Sequence, residues 1–365
     1  MLKRLTVHMK KNWLKYTLFL LAAVTFVFGF YLVTSGAVIQ IEAQEKLVRE
    51  APPLAEATPP ELGLPLACQL GQDCFIQQYV DTQEGPGAQD YTCGPLSYDG
   101  HKGTDIRVRD LPAMEAGVPV LAAAAGVVKG IRDGEPDIRV SERGLDQVKG
   151  KEAGNGVVID HGNGWETQYS HLKQRSVRVK LGDRVEAGQP LGLIGMSGKA
   201  DFPHVHFSVR YYKTTLDPFT GLAIDSDCDQ PRNPFWSADA LAALSYQAGG
   251  DLAAGFADKK ITVKQAIDGR LRGFQLEKNS PALVFWAVSW GLQAKDREIG
   301  RLYAPNGRVI AKLDANIPRN KARWLRTFGR KIPEKGWPSG TYRASYRIER
   351  AGNLVVNLEQ TITLP

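Results

Sequence analysis

The sequence predicts a mainly β chain: an antiparallel β domain, then a second β domain with the pattern of an immunoglobulin-like sandwich, both preceded by an N-terminal transmembrane helix. Three observations predict this. From Cys68 to about Trp236, short β-prone runs such as "NGVVIDHG", "WETQYSHL" and "HVHFSVRYY" are separated by Gly and Asn turns. Further on, "ALVFWAVSWGL", "EIGRLYAPNGRVIAKLDA" and "SGTYRASYRIERAGNLVVNLEQTITL" alternate in polarity and turn at NG and GN, as strands of a sandwich of about 100 residues do. Near the start, "YTLFLLAAVTFVFGFYLV", residues 16–33, is uncharged and long enough to cross a bilayer.

Each element follows in chain order. Lys3, Arg4, Lys10, Lys11 and Lys15 precede the apolar run, which places the N-terminus in the cytoplasm and everything after the span outside. "TSGA" at 34–37 would permit signal cleavage, but the run is long for a signal peptide, so an uncleaved anchor is the preferred reading over a secreted form. Residues 1–40 are therefore read as cytoplasmic stub and anchor, single-pass in an inner membrane with the body in the periplasm. Residues 41–65, rich in Pro, Ala and Glu, read as a linker. Residues 66–236 form the first β domain, 237–268 a helical connector suggested by "SADALAALSYQ" and "TVKQAIDGR", and 269–365 the sandwich. Within the first domain, 132–154 has mixed charge and no apolar period, as a long surface loop between two paired strands would.

The chain has 365 residues, 43% of them hydrophobic and 23% charged, an ordinary globular mixture too long for one typical domain. Its net charge of +7 is modest, and no nucleic-acid partner is expected. Four cysteines in an exported chain point to disulfides. Cys68 and Cys74 can close a small loop and leave Cys93 with Cys228, one of three pairings. No CxxC occurs, which argues against a cysteine zinc cluster. In the last domain, Trp286, Trp290, Trp324 and Trp337 read as core residues in preference to a carbohydrate platform.

Only six histidines occur in the whole chain. In "FPHVHFSVRY", residues 202–211, His204, His206 and Ser208 alternate with Val205, Phe207 and Val209, so both imidazoles share one face of a strand. At a rise of about 3.3 Å per residue their stems stand about 6.6 Å apart. They can converge on one metal, or one can hold it while the other reaches its water. "YDGHKGTDIRV" sets His101 four residues before Asp105 at the entry to a strand; alone, this reads equally well as a hydrogen-bonded turn or a metal ligand pair. His171 ends the alternating run "TQYSHL". His161, in a hairpin turn beside Asn163 and Gly164, is assigned to the rim, and His8 lies before the span.

Taken together, HxxxD, YSHL and PHVHF resemble the lysostaphin-type (LytM-like) zinc metallopeptidases, peptidoglycan hydrolases that cut the peptide part of bacterial cell walls. "GDRVEAGQPLGLIGMSG" leading to the last motif and "LDPF" at 216–219 strengthen the likeness, which covers residues 90 to 220. The resemblance implies an antiparallel β peptidase domain and one Zn2+ per chain. It implies that His101, Asp105 and His206 hold the metal and leave a fourth position for water. His171 and His204 would then face that water or the substrate carbonyl, one moving the proton and the other steadying the oxyanion, with either assignment open. The implied substrate is a peptidoglycan cross-link or stem peptide. A non-catalytic wall-binding or amidase-activating module using the same groove is the alternative. A biotinyl- or lipoyl-like carrier, suggested by the turn pattern of "GDRVEAGQPLGLIG", lacks a modifiable lysine at a hairpin tip. The sandwich is expected to bind a protein partner or the wall, or to pack on the peptidase.

Overall fold

The computed structural model describes Pro53, Leu54, residues 57–224 and residues 226–365; the expected transmembrane segment at 16–33 lies outside the described residues. Among the described residues, no helix is long and apolar enough to cross a membrane. One compact unit spans Thr58–Pro365.

An eight-stranded antiparallel sheet organises its first part. β7 (Arg184–Val185) and β10 (Thr214–Leu216) belong to it, and β3 (Pro119–Leu121) pairs with β8 (Pro190–Leu193) apart from it. The strands that matter for the site are β1 (Cys74–Gln78), β2 (Thr104–Val108), β4 (Gly126–Arg132), β5 (Asn155–Gly162), β6 (Trp165–Leu172) and β9 (His204–Tyr211). Their order is β1-β2-β9-β6-β5-β4, so strands distant in sequence lie side by side at the centre. The alternation of β9 works as its sequence implies: Val205, Phe207 and Val209 are fully buried with Ile106, Ile159 and Tyr169. Phe207 packs against Tyr169 and Trp236 at 5.3 and 5.4 Å between ring centroids. The apolar face is thereby pinned, and the register of the polar face follows, because a one-residue slip would turn every side chain over.

β4 and β5 pair directly, and residues 133–154 run between them as the surface excursion expected from their composition. It contains a helical turn at Val140–Arg143 and a 3-10 turn at Leu145–Val148. The disulfides are Cys68–Cys74 and Cys93–Cys228, the pairing that loop size suggested.

The second part contains a three-stranded sheet of β11 (Gly250–Ala257), β12 (Ala282–Leu292) and β15 (Lys321–Lys331). A four-stranded sheet holds β13 (Arg297–Tyr303), β14 (Val309–Asn316), β16 (Gly340–Arg350) and β17 (Asn353–Leu364), ordered β14-β13-β16-β17. Phe256, Leu283, Phe285 and Ala287 of the first sheet share one buried cluster with Leu302, Tyr342, Tyr346 and Ile348 of the second. Trp286, Trp290 and Trp337 are buried and Trp324 is half-buried with its indole N–H on Glu298. The stretch 237–268, expected to be helical, contains two short helices and, between them, β11. Its Ala-rich run "GDLAAGFA" resembles a helix in composition, but Leu252, Ala254 and Phe256 alternate, and pairing with β12 makes that alternation bury a face.

Side chains join the two parts. Arg139 of the 133–154 excursion pairs with Asp268 at 2.5 Å, both nearly buried, and Arg272 pairs with Asp110 at 2.5 Å. Arg109 donates to the Leu252 carbonyl at 2.9 Å.

Candidate metal and catalytic centre

β2, β9 and β6 are consecutive in the sheet, and their register assembles the centre. Asp105 on β2 is the cross-strand partner of His206 on β9, and Ser170 on β6 is its partner on the other side. Directly opposed residues on one face have Cβ atoms about 5 Å apart, so the carboxylate and imidazole meet. His101 comes from the turn before β2 and His171 from the end of β6. All five residues named from sequence are thus gathered at one point. His161 is elsewhere: its ring nitrogens bond the Ala125 carbonyl at 2.7 Å and Thr167 Oγ1 at 2.8 Å.

Hydrogen bonding decides which ring nitrogens carry protons, because a carbonyl can only accept. His101 Nδ1–H donates to the Tyr79 carbonyl at 2.6 Å, which leaves Nε2 with a bare lone pair. Ser208 Oγ–H donates to the Lys102 carbonyl at 2.7 Å, so its oxygen accepts from His206 Nε2–H at 3.1 Å, leaving Nδ1 of that ring bare. These two bare nitrogens lie 3.2 Å apart. Asp105 Oδ1 stands 3.2 Å from the first and 2.8 Å from the second. Three electron-pair donors therefore converge without a proton between them, all ligand atoms lying within 4.8 Å of one another. Such a cluster is repulsive until a cation occupies it, and two imidazoles with one carboxylate suit zinc.

The electrostatics point the same way. Burial disfavours charge on His101, yet Asp105 beside it and the bond to Tyr79 raise its pKa above the ordinary imidazole value. Burial likewise opposes the Asp105 carboxylate, but the imidazoles of His101, His204 and His206 around it hold it well below the usual carboxylate range. The carboxylate is an anion that draws positive charge to this point.

His171 and His204 flank the donors differently. His171 Nδ1–H donates to the Ser197 carbonyl at 2.7 Å and His204 Nδ1–H to the Phe202 carbonyl at 2.8 Å, so each keeps Nε2 bare. Their rings are 4.6 Å apart. Burial, reinforced by His204 and His206, holds His171 well below its ordinary pKa; burial also lowers His204, against the pull of Asp105. Both are neutral at pH 7 and able to accept a proton. Access is from the side of His206, the most exposed of the five at 18%. Gly103 backs the His206 ring on its Nε2 side, where a Cβ would lie 2.6 Å from that nitrogen and 2.7 Å from the Phe207 carbonyl. Only glycine lets the turn come so close. Tyr98 packs at a tilt against His101, 4.3 Å between ring centroids, and Phe202 stacks on His204 at 4.5 Å.

Sequence reasoning missed the groups that orient these rings. Ser208 was legible in principle, lying two residues beyond His206 on the same strand face. The carbonyls of Tyr79, Ser197 and Phe202 have no sequence signature, since every residue supplies one.

Two neutral imidazoles thus stand beside a His, His, Asp cluster that could hold a metal ion, on one face of an antiparallel sheet. The model of Peptidase family M23 matches residues 99–218, the region that holds all five residues. The chain carries an M23 domain of the lysostaphin (LytM) type. It is similar to the peptidoglycan DD-endopeptidase ShyA of Vibrio cholerae, 37% identical over 109 residues, 30% of this chain and 20% of that protein. It is also similar to the DD-carboxypeptidase/endopeptidase Mpg of Neisseria meningitidis, 34% identical over 83 residues, 22% of this chain and 19% of that one. A solved structure of the lysostaphin catalytic domain from Staphylococcus simulans is 23% identical, covering 39% of this chain and 85% of that chain with a TM-score of 0.25. The aligned part spans a quarter or less of the length of the curated relatives.

Proposed function

We propose that this chain is an exported, zinc-dependent endopeptidase that hydrolyses amide bonds in peptidoglycan cross-links or stem peptides. The observation that carries the reading is the convergence of three bare donor atoms, His101 Nε2, Asp105 Oδ1 and His206 Nδ1, beside two neutral imidazoles. Those three residues would hold one zinc ion, which when bound would supply Lewis acidity, acidifying water and polarising an amide carbonyl. His171 and His204 act through Nε2: one accepts the proton of the attacking water and returns it to the leaving amine as the C–N bond breaks. The other, its Nε2 likewise bare, accepts a hydrogen bond from the second O–H of that water and orients it for attack. Their backbone-carbonyl anchors keep each Nδ1–H occupied, so only the bare nitrogen is available for this traffic.

Substrate class rests on the relatives, whose names specify peptidoglycan DD-endopeptidases. Export rests on the apolar run at 16–33 and on the two disulfides, which persist in oxidising compartments; an inner-membrane anchor with a periplasmic body is the address proposed. We place the domain boundaries at 66–236 for the peptidase and, counting β11, at about Gly250 for the second β domain. Its strand orders, β11-β12-β15 and β14-β13-β16-β17 around a shared core, support an immunoglobulin-like sandwich, to which we assign binding of a protein partner or of the wall.

The deciding experiment is digestion of purified cross-linked muropeptides with the zinc-loaded and chelator-treated chain, weighing the products. Zinc-dependent release of uncrosslinked peptides is expected. Stoichiometric zinc with intact muropeptides would instead favour a non-catalytic wall-binding module.

A further inference from the structure

His171 adopts a left-handed backbone with φ of 63°, a conformation that must be held by its surroundings. Two contacts hold it: its N–H donates to the Ala153 carbonyl at 2.9 Å, and its Nδ1–H to the Ser197 carbonyl at 2.7 Å. The ring's direction thus depends on the separation between the segment leaving β6 and the loop at 195–198. Ala153 already belongs to the 133–154 excursion. Gly154 fits there with φ of 61°, and a Cβ would lie 2.4 Å from the same Ser197 oxygen.

One side chain of that excursion spans the gap. Asp137 Oδ2 accepts from the Gln174 N–H at 2.9 Å, and its Oδ1 accepts from the Met196 N–H at 2.6 Å. Those amides lie three residues after His171 and one before Ser197. Neighbouring contacts bind the same strip: Asp133 Oδ1 accepts from the Arg175 N–H at 2.6 Å, Gln174 Nε2 donates to the Gly134 carbonyl at 2.7 Å, and Ser197 Oγ donates to the Leu172 carbonyl at 2.7 Å. Asn155 ties both sides, its Nδ2 donating to the carbonyls of Glu135 at 2.8 Å and Leu172 at 3.1 Å.

We propose that Asp137 is a positioning residue for His171: by bridging the Gln174 and Met196 amides it sets the spacing that aims Nε2 of His171 into the centre, so the 133–154 excursion braces the site and does not cover it. This rests on the proposed catalytic part of His171. A carboxylate suits the task because both partners are donors, and each of its oxygens takes one.

The test uses the full chain, unmutated and as Asp137→Ala and Asp137→Asn, with selectively 15N-labelled histidine. In the unmutated chain the His171 Nδ1–H resonance, assigned by its loss in His171→Ala, should be protected from exchange. Asp137→Ala should broaden or erase it, keep zinc stoichiometry and KM for a purified muropeptide, and lower kcat about tenfold or more. Asp137→Asn, which retains one acceptor and the side-chain shape, should fall between. An unchanged His171 resonance with unchanged kcat in both variants would overturn the proposal. So would a rise in kcat, the signature of a cover removed. If the unmutated chain hydrolyses nothing, the enzymatic reading fails, while the resonance still decides whether Asp137 orients the ring.

Discussion

Ser208→Ala removes one hydroxyl from β9 and nothing else of consequence to packing, since Ser208 is buried and Ala occupies the same space less an oxygen. The hydroxyl donates to the Lys102 carbonyl at 2.7 Å and accepts from His206 Nε2–H at 3.1 Å. Without it, His206 has no partner keeping its proton on Nε2, and the tautomer with Nδ1–H pointing at Asp105 Oδ1, 2.8 Å away, becomes competitive. Binding a metal at Nδ1 must then reverse that preference and leave Nε2–H unpaired. One or two buried hydrogen bonds at about 1 kcal/mol each give a loss of about 1–2 kcal/mol, a factor of about 5 to 30 in zinc affinity. A competition titration against a chromophoric chelator at constant pH measures it, with a urea melt of the metal-free chain as the control for folding. Zinc affinity within about threefold of the unmutated chain would refute the reasoning, because the serine would then have no hold on the tautomer.

His206→Ala takes away one of three donors and should lose zinc and activity together, whereas His171→Ala and His204→Ala should keep zinc and lose turnover by about 10²- to 10⁴-fold. Metal analysis beside initial rates checks this, and either of the latter variants hydrolysing at full rate would leave the catalytic set. Burial, with Asp90 adding to it against the bond from the Phe219 N–H, pushes the Asp217 carboxyl up to about 7. The folded state therefore holds a proton that the unfolded state releases near pH 4, so this group's contribution to stability declines as pH rises from about 4 to about 7, by at most about 4 kcal/mol. Asp217→Asn should flatten that slope in urea melts at pH 5 and pH 8; identical slopes in both chains would show that Asp217 ionises normally. Cys93–Cys228 closes a separation of 135 residues, and its loss in a Cys93→Ala, Cys228→Ala chain should lower unfolding free energy by up to about 5 kcal/mol. An unchanged denaturation midpoint would mean that the unfolded chain is restrained by other means.

Much of the centre could be read before any coordinates. HVH on an alternating strand shows that two imidazoles share a face, and the apolar partners Val205 and Phe207 show which face is buried. The family resemblance that HVH carries together with HxxxD and YSHL then implied the five side chains that the sheet brings together. The excursion at 133–154 was legible as an interruption but not as a brace, because Asp137 acts on main-chain amides of Gln174 and Met196, 37 and 59 residues away, and amides carry no residue signature. β11 was misread for a related reason. "GDLAAGFA" has helix-like composition, and only the presence of β12 alongside gives its weak alternation a face to bury.

The sequence by itself determined which side chains have the chemistry to bind a cation and shuttle a proton, because imidazole and carboxylate are intrinsic to His and Asp and period-two spacing is intrinsic to a strand. Only the tertiary structure decided which nitrogen of each ring is bare. That choice belongs to whichever group faces the other nitrogen, and here those groups are the carbonyls of Tyr79, Ser197 and Phe202 and the hydroxyl of Ser208, three of them main-chain atoms placed by the order in which strands pair.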